Sequence, residues 1–152
     1  MRRRLARLHT LSAAQWRVVL ASVMLVPAVQ LSLRLRGFKR TAGALAARSD
    51  RRAVPTEPAH ARLAAEAVGL VAGRSVIGAR CLGRSLVLWF LLRRRGIDAE
   101  LVIGVEMPRG GELPAHAWVE VADEPVNDAP DVRERFGSFD LQLPRLGETR
   151  RQ

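Results

Sequence analysis

Three stretches of the chain have the hydrophobic spacing of helices, and they precede two short stretches typical of strands. The first is an almost purely apolar run from Val18 to Val29 that continues to Leu35 with arginines near its ends. This pattern predicts one or two helices with a large apolar face. The run is shorter than the roughly 20 residues that span a bilayer and Pro27 interrupts it, so we expect neither a membrane-spanning helix nor a signal peptide. We expect packing on the chain's own domain, with a partner protein or anionic lipid as the alternatives.

The second and third helices carry different apolar patterns. Apolar residues recur at helical spacing from Ala59 to Ala72, which predicts a helix with one buried face. A third helix is predicted from Cys81 to Arg95, and its continuous apolar run from Leu86 to Leu92 implies burial on most sides. Gly96 follows as a predicted C-terminal cap, after three arginines that suit the negative end of the helix dipole.

Two strands are predicted after the third helix. The segment from Leu101 to Val105 is short and rich in β-branched residues, as buried strands are. The next strand begins at His116, and alternation places His116 and Trp118 on the same face. A hairpin loop of three residues, 122–124, would bring Asp128 diagonally across from His116. A slip of one residue would send Asp128 to the other face.

These elements predict an α+β fold in which N-terminal helices precede a core, and the core packs a cysteine-bearing helix on a small antiparallel sheet. Pro55 and Pro58 disfavour helix at themselves and at the residue before each, so they indicate a linker. The predicted organisation is a basic helical N-terminal segment at 1–52, a linker at 53–58, a core at 59–140 and a basic tail at 141–152.

Positive charge is concentrated in the first third of the chain. The 152 residues are 48% hydrophobic, which is typical of a globular protein, and the net charge is +10. Residues 1–52 contain twelve Lys or Arg against one acid, whereas the rest contains thirteen bases and fourteen acids. The surplus fits a solvated basic face or docking to an acidic protein, peptide or lipid surface, and allows peripheral membrane contact through 1–36. No nucleic-acid-binding motif accompanies it, so we expect no nucleic acid partner.

The lone cysteine, a histidine and a carboxylate stand in the order that a papain-like or transglutaminase-like site requires. A thiolate attacks an amide carbonyl well when a neighbouring base takes its proton and a third group fixes the tautomer of that base. We therefore predict Cys81 as nucleophile, His116 as base and Asp128 as the orienting acid. At a helix start, unpaired N–H groups would favour the thiolate and hold an oxyanion. The alternatives are a small buried hydrophobe for Cys81 and a turn residue for Asp128.

Three more residues are candidates for substrate binding. Arg84 and Ser85 share a helix face with Cys81, although a plain surface arginine is an equal alternative. Trp118 shares a face with His116, although a large aromatic residue on a half-buried strand more often belongs to the core. One cysteine and three separated histidines give no metal-binding spacing, so we predict no metal and no cofactor. A single cysteine also favours a reducing compartment, here the cytoplasm.

Five sequence blocks carry a family resemblance. The blocks are Cys81 to Leu86, Arg94 to Ile97, Leu101 to Val105, Ala115 to Glu120 and Val126 to Asp128. Through them, roughly residues 60–136 resemble the transglutaminase-like leader peptidase of lasso-peptide biosynthesis. The stretch before Ala115 is longer and richer in glycine than the family pattern, so the role of that loop is left open.

The resemblance implies a transglutaminase-like or papain-like core and a bacterial cytosolic cysteine peptidase. Such an enzyme removes the leader from a ribosomally made precursor peptide, and an ATP-dependent lasso cyclase then closes the core peptide. A separate leader-binding recognition protein delivers the precursor. By matching positions, Cys81 is the nucleophile, His116 is general base and then general acid, and Asp128 orients His116.

Two alternative functions remain compatible with the sequence. A transglutaminase-like enzyme can pass the acyl group to an amine rather than to water, because both acceptors use the same triad. A non-catalytic scaffold could instead recruit the precursor or the cyclase, with Cys81 buried and inert. Thiol reactivity separates the scaffold from the enzymes.

Overall fold

In the part of the chain that the structure describes, three long helices precede a four-stranded antiparallel sheet, and a short fourth helix lies just before the last strand. This arrangement confirms the predicted α+β fold. A computed structural model describes residues 13–49, 58–72, 81–106 and 115–139. Most of the predicted linker, the loop before Ala115 and the C-terminal tail lie outside the described residues. The elements are α1 (Ala13–Ser49), α2 (Pro58–Ala72), α3 (Cys81–Arg93), β1 (Ala99–Glu106), β2 (Ala115–Val121), β3 (Glu124–Pro125), α4 (Val132–Arg135) and β4 (Phe136–Phe139).

Helix α1 is broken at Gly37, where the backbone leaves the helical conformation with φ +74°. Such a positive φ favours glycine. The Thr41 hydroxyl donates to the Gly37 carbonyl at 2.8 Å, and its oxygen lies 2.9 Å from Ser32 Oγ, so the two sides of the break are joined. Helix α1 packs against α2 and α3. Helix α1 is also long and apolar enough to cross a membrane, by length and composition alone. It is longer than the apolar run in the sequence because the helix continues well beyond Val29.

Helix α3 occupies the centre of the core and contacts α1, α2, β1 and β2. It ends at Arg93, two residues before the predicted end. Gly96 has a φ of +78°, its N–H donates to the Arg93 carbonyl, and the Ile97 N–H donates to the Leu92 carbonyl at 3.1 Å. These two bonds form a Schellman motif, which confirms Gly96 as the cap. The fully buried side chains of α3 are Ser85, Leu86, Val87, Leu88, Trp89 and Leu92.

The strands lie in the order β3-β2-β1-β4. One face of the sheet packs on the helices through residues such as Val119 and Leu101. The other face carries a smaller cluster formed by Trp118, Val132 and Phe136. The predicted alternation along β2 is therefore confirmed, and His116 lies on the face away from the helices.

The predicted hairpin register is wrong by one residue. Ala122 and Asp123 form a two-residue turn with φ of 51° and 61°, as type I′ hairpin turns require. Glu120 therefore pairs with Pro125, where a three-residue loop would have paired Val121 with it. Strand β3 ends at Pro125 and the chain bends afterwards, so the register no longer dictates which face Asp128 meets.

Candidate active site

Cys81 is the first residue of α3 and is partly exposed. Its Sγ lies 4.0 Å from the carbonyl oxygen of Ala115, the residue immediately before His116. The helix start is therefore adjacent to the start of β2. N–H groups in the first turn of a helix have no hydrogen-bond partner within that helix. The positive end of the helix dipole lies at the same place and stabilises negative charge. A thiolate or an oxyanion is suited to this position.

His116 is hydrogen-bonded to Asp128 despite the shifted register. The distance between His116 Nε2 and Asp128 Oδ2 is 2.6 Å. The bend after β3 carries Asp128 back toward the start of β2, so the predicted pairing forms by a different route. An ionised carboxylate only accepts hydrogen bonds, so Nε2 carries the proton and donates it. Nδ1 is then the ring nitrogen that can accept a proton.

The surroundings of Asp128 keep it ionised. Burial raises the pKa of this carboxyl, but the hydrogen bonds from His116 and from the Ala129 N–H, with the charges of His116 and Arg84, outweigh burial and lower the pKa overall. The Ala129 N–H donates to Oδ1 at 2.9 Å, while Arg84 Nη2 lies 3.9 Å from Oδ2. The Asp128 carboxylate is thus fixed in orientation, and its negative charge stabilises a protonated imidazole.

Asn127 links the helix of Cys81 to the strand of His116. Its Oδ1 accepts the Val119 N–H at 2.7 Å, and its Nδ2 donates to Ser85 Oγ at 2.9 Å. The Ser85 hydroxyl donates to the Ala117 carbonyl at 2.8 Å. Ser85 is fully buried, so its position does not agree with the predicted contact to substrate, and we assign it to holding α3 against β2. Asn127 was not predicted, although it directly precedes Asp128.

The imidazole of His116 packs on aromatic rings. The ring centroids of His116 and Phe136 are 4.9 Å apart, and those of His116 and Trp118 are 6.1 Å apart. Gly104, which pairs with His116 across the sheet, leaves room for these rings. A Cβ on Gly104 would come within 2.9 Å of Phe136 Cβ and 3.0 Å of the Trp118 ring. A glycine inside a strand indicates such a close approach, whereas no sequence signal indicated Phe136.

The indole of Trp118 is bound by a buried carboxylate, which in turn pairs with a half-exposed arginine. The indole N–H donates to Glu120 Oε1 at 2.6 Å. The Glu120 carboxylate is 2% exposed and also accepts two hydrogen bonds from the guanidinium of Arg133. Trp118 itself is fully buried, so its side chain supports the imidazole and does not make the predicted contact to substrate.

A cleft of about 250 Å³ lies beside Asp128, which is one of its lining residues. Arg84, which is one-third exposed, lines it, and its Nη2 donates to the Asn127 carbonyl at 3.3 Å. Among the predicted substrate-binding residues, Arg84 alone has an accessible side chain. The lining residues are Ala65, Glu66, Arg84, Val126, Asn127 and Asp128. Within the four described ranges, no group of three or more His, Cys, Asp or Glu is placed to hold a metal ion.

Comparison with known proteins places this architecture in a family. The family model described as "Transglutaminase-like superfamily" matches residues 23–139, so the chain belongs to the transglutaminase-like superfamily. It is also similar to the Microcin J25-processing protein McjB of Escherichia coli, with 45% identity over 56 residues. That match covers 37% of this chain and 26% of the relative, so it spans about a quarter of McjB. No solved structure matches the chain.

Proposed function

We propose that this protein is a cysteine peptidase that removes the leader from a ribosomally made lasso-peptide precursor before a partner cyclase forms the macrolactam. The observation that carries the proposal is that Cys81 begins α3 with its Sγ 4.0 Å from the carbonyl oxygen of Ala115, the residue before His116, and that His116 is hydrogen-bonded to Asp128. Membership of the transglutaminase-like superfamily supports the cysteine chemistry. Similarity to a microcin-processing protein supports a peptide precursor as the substrate.

The acylation step uses the three residues in defined roles. His116 Nδ1 takes the Cys81 thiol proton, the thiolate adds to the scissile carbonyl carbon, and the carbonyl electron pair moves to oxygen. Backbone N–H groups of the first turn of α3 stabilise this oxyanion. As the intermediate collapses, the C–N bond breaks, and the leaving amine takes the proton from His116. Asp128 holds the imidazole and stabilises its protonated form.

Hydrolysis of the thioester completes the reaction. His116 Nδ1 takes a proton from water, the resulting hydroxide adds to the thioester carbonyl, and the C–S bond breaks on collapse. The leader leaves as a carboxylic acid, and the protonated His116 returns its proton to the Cys81 thiolate. An amine in place of water would give an amide instead, so the product mass distinguishes a peptidase from an acyl transferase.

The cleft beside Asp128 is where we place part of the peptide. Arg84 offers guanidinium donors to carbonyl or carboxylate groups of the chain that occupies it. We further propose that a separate leader-binding recognition protein delivers the precursor, that an ATP-dependent lasso cyclase receives the core peptide, and that the reaction takes place in the cytoplasm.

The test is mass spectrometry of a leader-bearing precursor incubated with the protein and its leader-binding partner. We expect a leader fragment with a free carboxylate from the unaltered protein and none from Cys81→Ala or His116→Ala. His60→Ala is the matched control, because His60 is exposed in the first turn of α2, and it should cleave normally. Circular dichroism of each variant separates loss of chemistry from loss of folding.

The scaffold alternative gives the opposite pattern. Cleavage that survives Cys81→Ala, in the presence of a folded variant, would remove the nucleophile from the proposal. Alkylation by iodoacetamide near neutral pH provides a second readout that needs no substrate: an activated Cys81 should react faster than the same thiol in His116→Ala. Equal and slow alkylation of both proteins would favour the scaffold.

A further inference from the structure

Helix α1 exposes a continuous apolar stripe on the side away from the core. The stripe residues recur at helical spacing over twenty positions, and the nineteen steps between the first and the last span about 28 Å at 1.5 Å per residue. Leu20 is 62% exposed, and Met24 and Leu35 are each 74% exposed. Exposed apolar surface of this extent marks a contact surface. The apolar stripe is formed by Trp16, Leu20, Val23, Met24, Leu31 and Leu35.

The polar residues of this part of α1 face inward. Ser22 is fully buried, with its hydroxyl donating to the Val18 carbonyl at 2.7 Å, and Gln30 is 6% exposed. Every exposed residue between Trp16 and Arg36 is either apolar or arginine. The inner face is fixed against α2 and α3, so α1 lies along the domain. An occupant therefore covers the stripe from outside, without pulling the helix away from the core.

Charge defines what the occupant must be. No acidic residue occurs in 13–49, and Arg17 and Arg34 are exposed on the same side of the helix as the stripe. Exposed basic side chains continue past the stripe at Arg36, Lys39 and Arg40. A second copy of the chain would place like charges against each other, so the stripe is not suited to pairing with itself.

We propose that the apolar stripe of α1 docks the protein on the surface of an anionic membrane. A helix that lies in the membrane interface needs apolar residues on one side and basic residues whose aliphatic stems reach past them to the phosphates. The exposed side of α1 has those two kinds of residue, and no acidic side chain in 13–49 would repel anionic phosphates. The interaction is independent of the thiol chemistry of Cys81.

Trp16 gives a local probe of this contact. Trp89 and Trp118 are fully buried, whereas Trp16 is 41% exposed on the stripe. Any shift of tryptophan emission to shorter wavelength on adding lipid therefore reports the stripe. We expect this shift, together with co-sedimentation, for the full chain with vesicles of phosphatidylglycerol and phosphatidylcholine. Neither should occur with vesicles of phosphatidylcholine alone, and added salt should weaken both.

Substitutions separate insertion of the stripe from adsorption of basic segments. Leu20→Ser with Met24→Ser should lower the affinity for phosphatidylglycerol vesicles by about tenfold or more, and Arg34→Gln with Arg36→Gln by about tenfold. Leu63→Ser is the matched control, because Leu63 is 46% exposed on α2, and it should bind like the unaltered protein. Trp16→Phe should still sediment but lose the emission shift. All these sites are exposed, so folding should be preserved.

Three outcomes would overturn the proposal. One is the absence of co-sedimentation with phosphatidylglycerol vesicles. Another is binding that the Leu20 and Met24 substitutions leave unchanged, since adsorption would then rest on charge alone. The last is a dimer in gel filtration that Leu20→Ser with Met24→Ser dissociates, because a second copy would then cover the stripe. None of these measurements uses peptidase activity, so failure here is distinct from failure of the proposed function.

Discussion

The Nδ2 atom of Asn127 lies 2.9 Å from Ser85 Oγ, and this hydrogen bond connects two parts of the site that are 42 residues apart in sequence. Ser85 sits one turn after Cys81 on α3. Asn127 precedes Asp128 and also accepts the Val119 N–H of β2. A single amide group therefore sets the helix of Cys81, the strand of His116 and the segment of Asp128 relative to one another.

Removal of the Asn127 amide should destabilise the protein and loosen the site. Asn127→Ala leaves the Val119 N–H and the Ser85 hydroxyl short of a partner, which should lower the free energy of unfolding by about 1–3 kcal/mol. Urea denaturation measures this loss. The rate of Cys81 alkylation should also fall in the folded variant, because the amide that joins the helix of Cys81 to the strand of His116 is gone.

The double variant Asn127→Ala with Ser85→Ala tests whether the two residues act as a pair. Groups that share a hydrogen bond show coupling of about 0.5–3 kcal/mol, so the double variant should lose less stability than the two single losses combined. Losses that add fully would mean that the two side chains act independently.

The local features of this fold were predictable, and the features that depend on tertiary contacts were not. The continuous apolar run of α3 and the cap at Gly96 depend on neighbouring residues, so the sequence predicted both. The turn at Ala122 and Asp123 contains no glycine, and nothing in the residue pattern distinguished two loop residues from three. The proximity of Asp128 to His116 was predicted through a register that is wrong, because the bend after Pro125 was not foreseen.

The support of the candidate site was largely missed for the same reason. Asn127 meets Ser85 only after the chain has folded, and Phe136 reaches His116 only because β4 pairs with β1. The roles of Cys81, His116 and Asp128 stay predictions that the geometry favours. The sequence indicated a large apolar face on α1 but left open what covers it, because an apolar run by itself does not tell which side packs on the core.

Gly104→Ala should disturb the ring cluster around His116. The new Cβ would lie 2.9 Å from Phe136 Cβ and 3.0 Å from the Trp118 ring, whereas a Cβ at Gly137 would meet only the Val105 carbonyl oxygen at 3.7 Å. Crowding of a packed cluster costs about 1–3 kcal/mol. We expect a clear loss of thermal stability and slower Cys81 alkylation for Gly104→Ala. Gly137→Ala is the control, and equal behaviour of the two variants would contradict this account of Gly104.

Asp128→Asn should change how stability depends on pH. Because the pKa of Asp128 is lowered in the folded protein, this carboxylate stabilises the fold above the ordinary aspartate pKa of about 3.9, and the contribution is lost as the pH falls through the lower folded value. The unaltered protein should thus exceed Asp128→Asn in stability near pH 7, with a difference that shrinks in acid. Urea denaturation over this pH range measures it.

Asp123→Asn is the control for that titration. Asp123 is 90% exposed in the hairpin turn, and asparagine tolerates its positive φ. Its substitution is a surface change and should alter the free energy of unfolding by about 0.5 kcal/mol or less. The difference in unfolding free energy between the unaltered protein and Asp128→Asn could instead stay constant from neutral pH into acid. That result would mean that Asp128 stabilises the fold through its hydrogen-bonding geometry and not through its charge.

Two ion pairs with very different burial should differ in their effect on stability. Arg133 meets a Glu120 carboxylate that is 2% exposed and that also anchors Trp118. Arg62 meets Glu124 at 2.8 Å with both side chains about half exposed. Arg133→Met leaves the buried Glu120 carboxylate short of hydrogen-bond donors, which should lower the free energy of unfolding by about 1–3 kcal/mol. The loss should not be larger, because water at the half-exposed guanidinium position can donate to the carboxylate instead. Arg62→Met should cost about 0.5 kcal/mol or less.

Chemical denaturation of the two methionine variants measures this contrast, and the emission of Trp118 reports its cause. Because the Glu120 carboxylate accepts the indole N–H at 2.6 Å, loss of Arg133 should also alter the tryptophan emission of the folded protein, whereas loss of Arg62 should not. Similar small losses for both pairs would mean that Glu120 finds other donors and that Trp118 does not depend on Arg133. A large loss of unfolding free energy with unchanged emission would mean that Arg133 stabilises the α4 segment and does not act through Glu120 and Trp118.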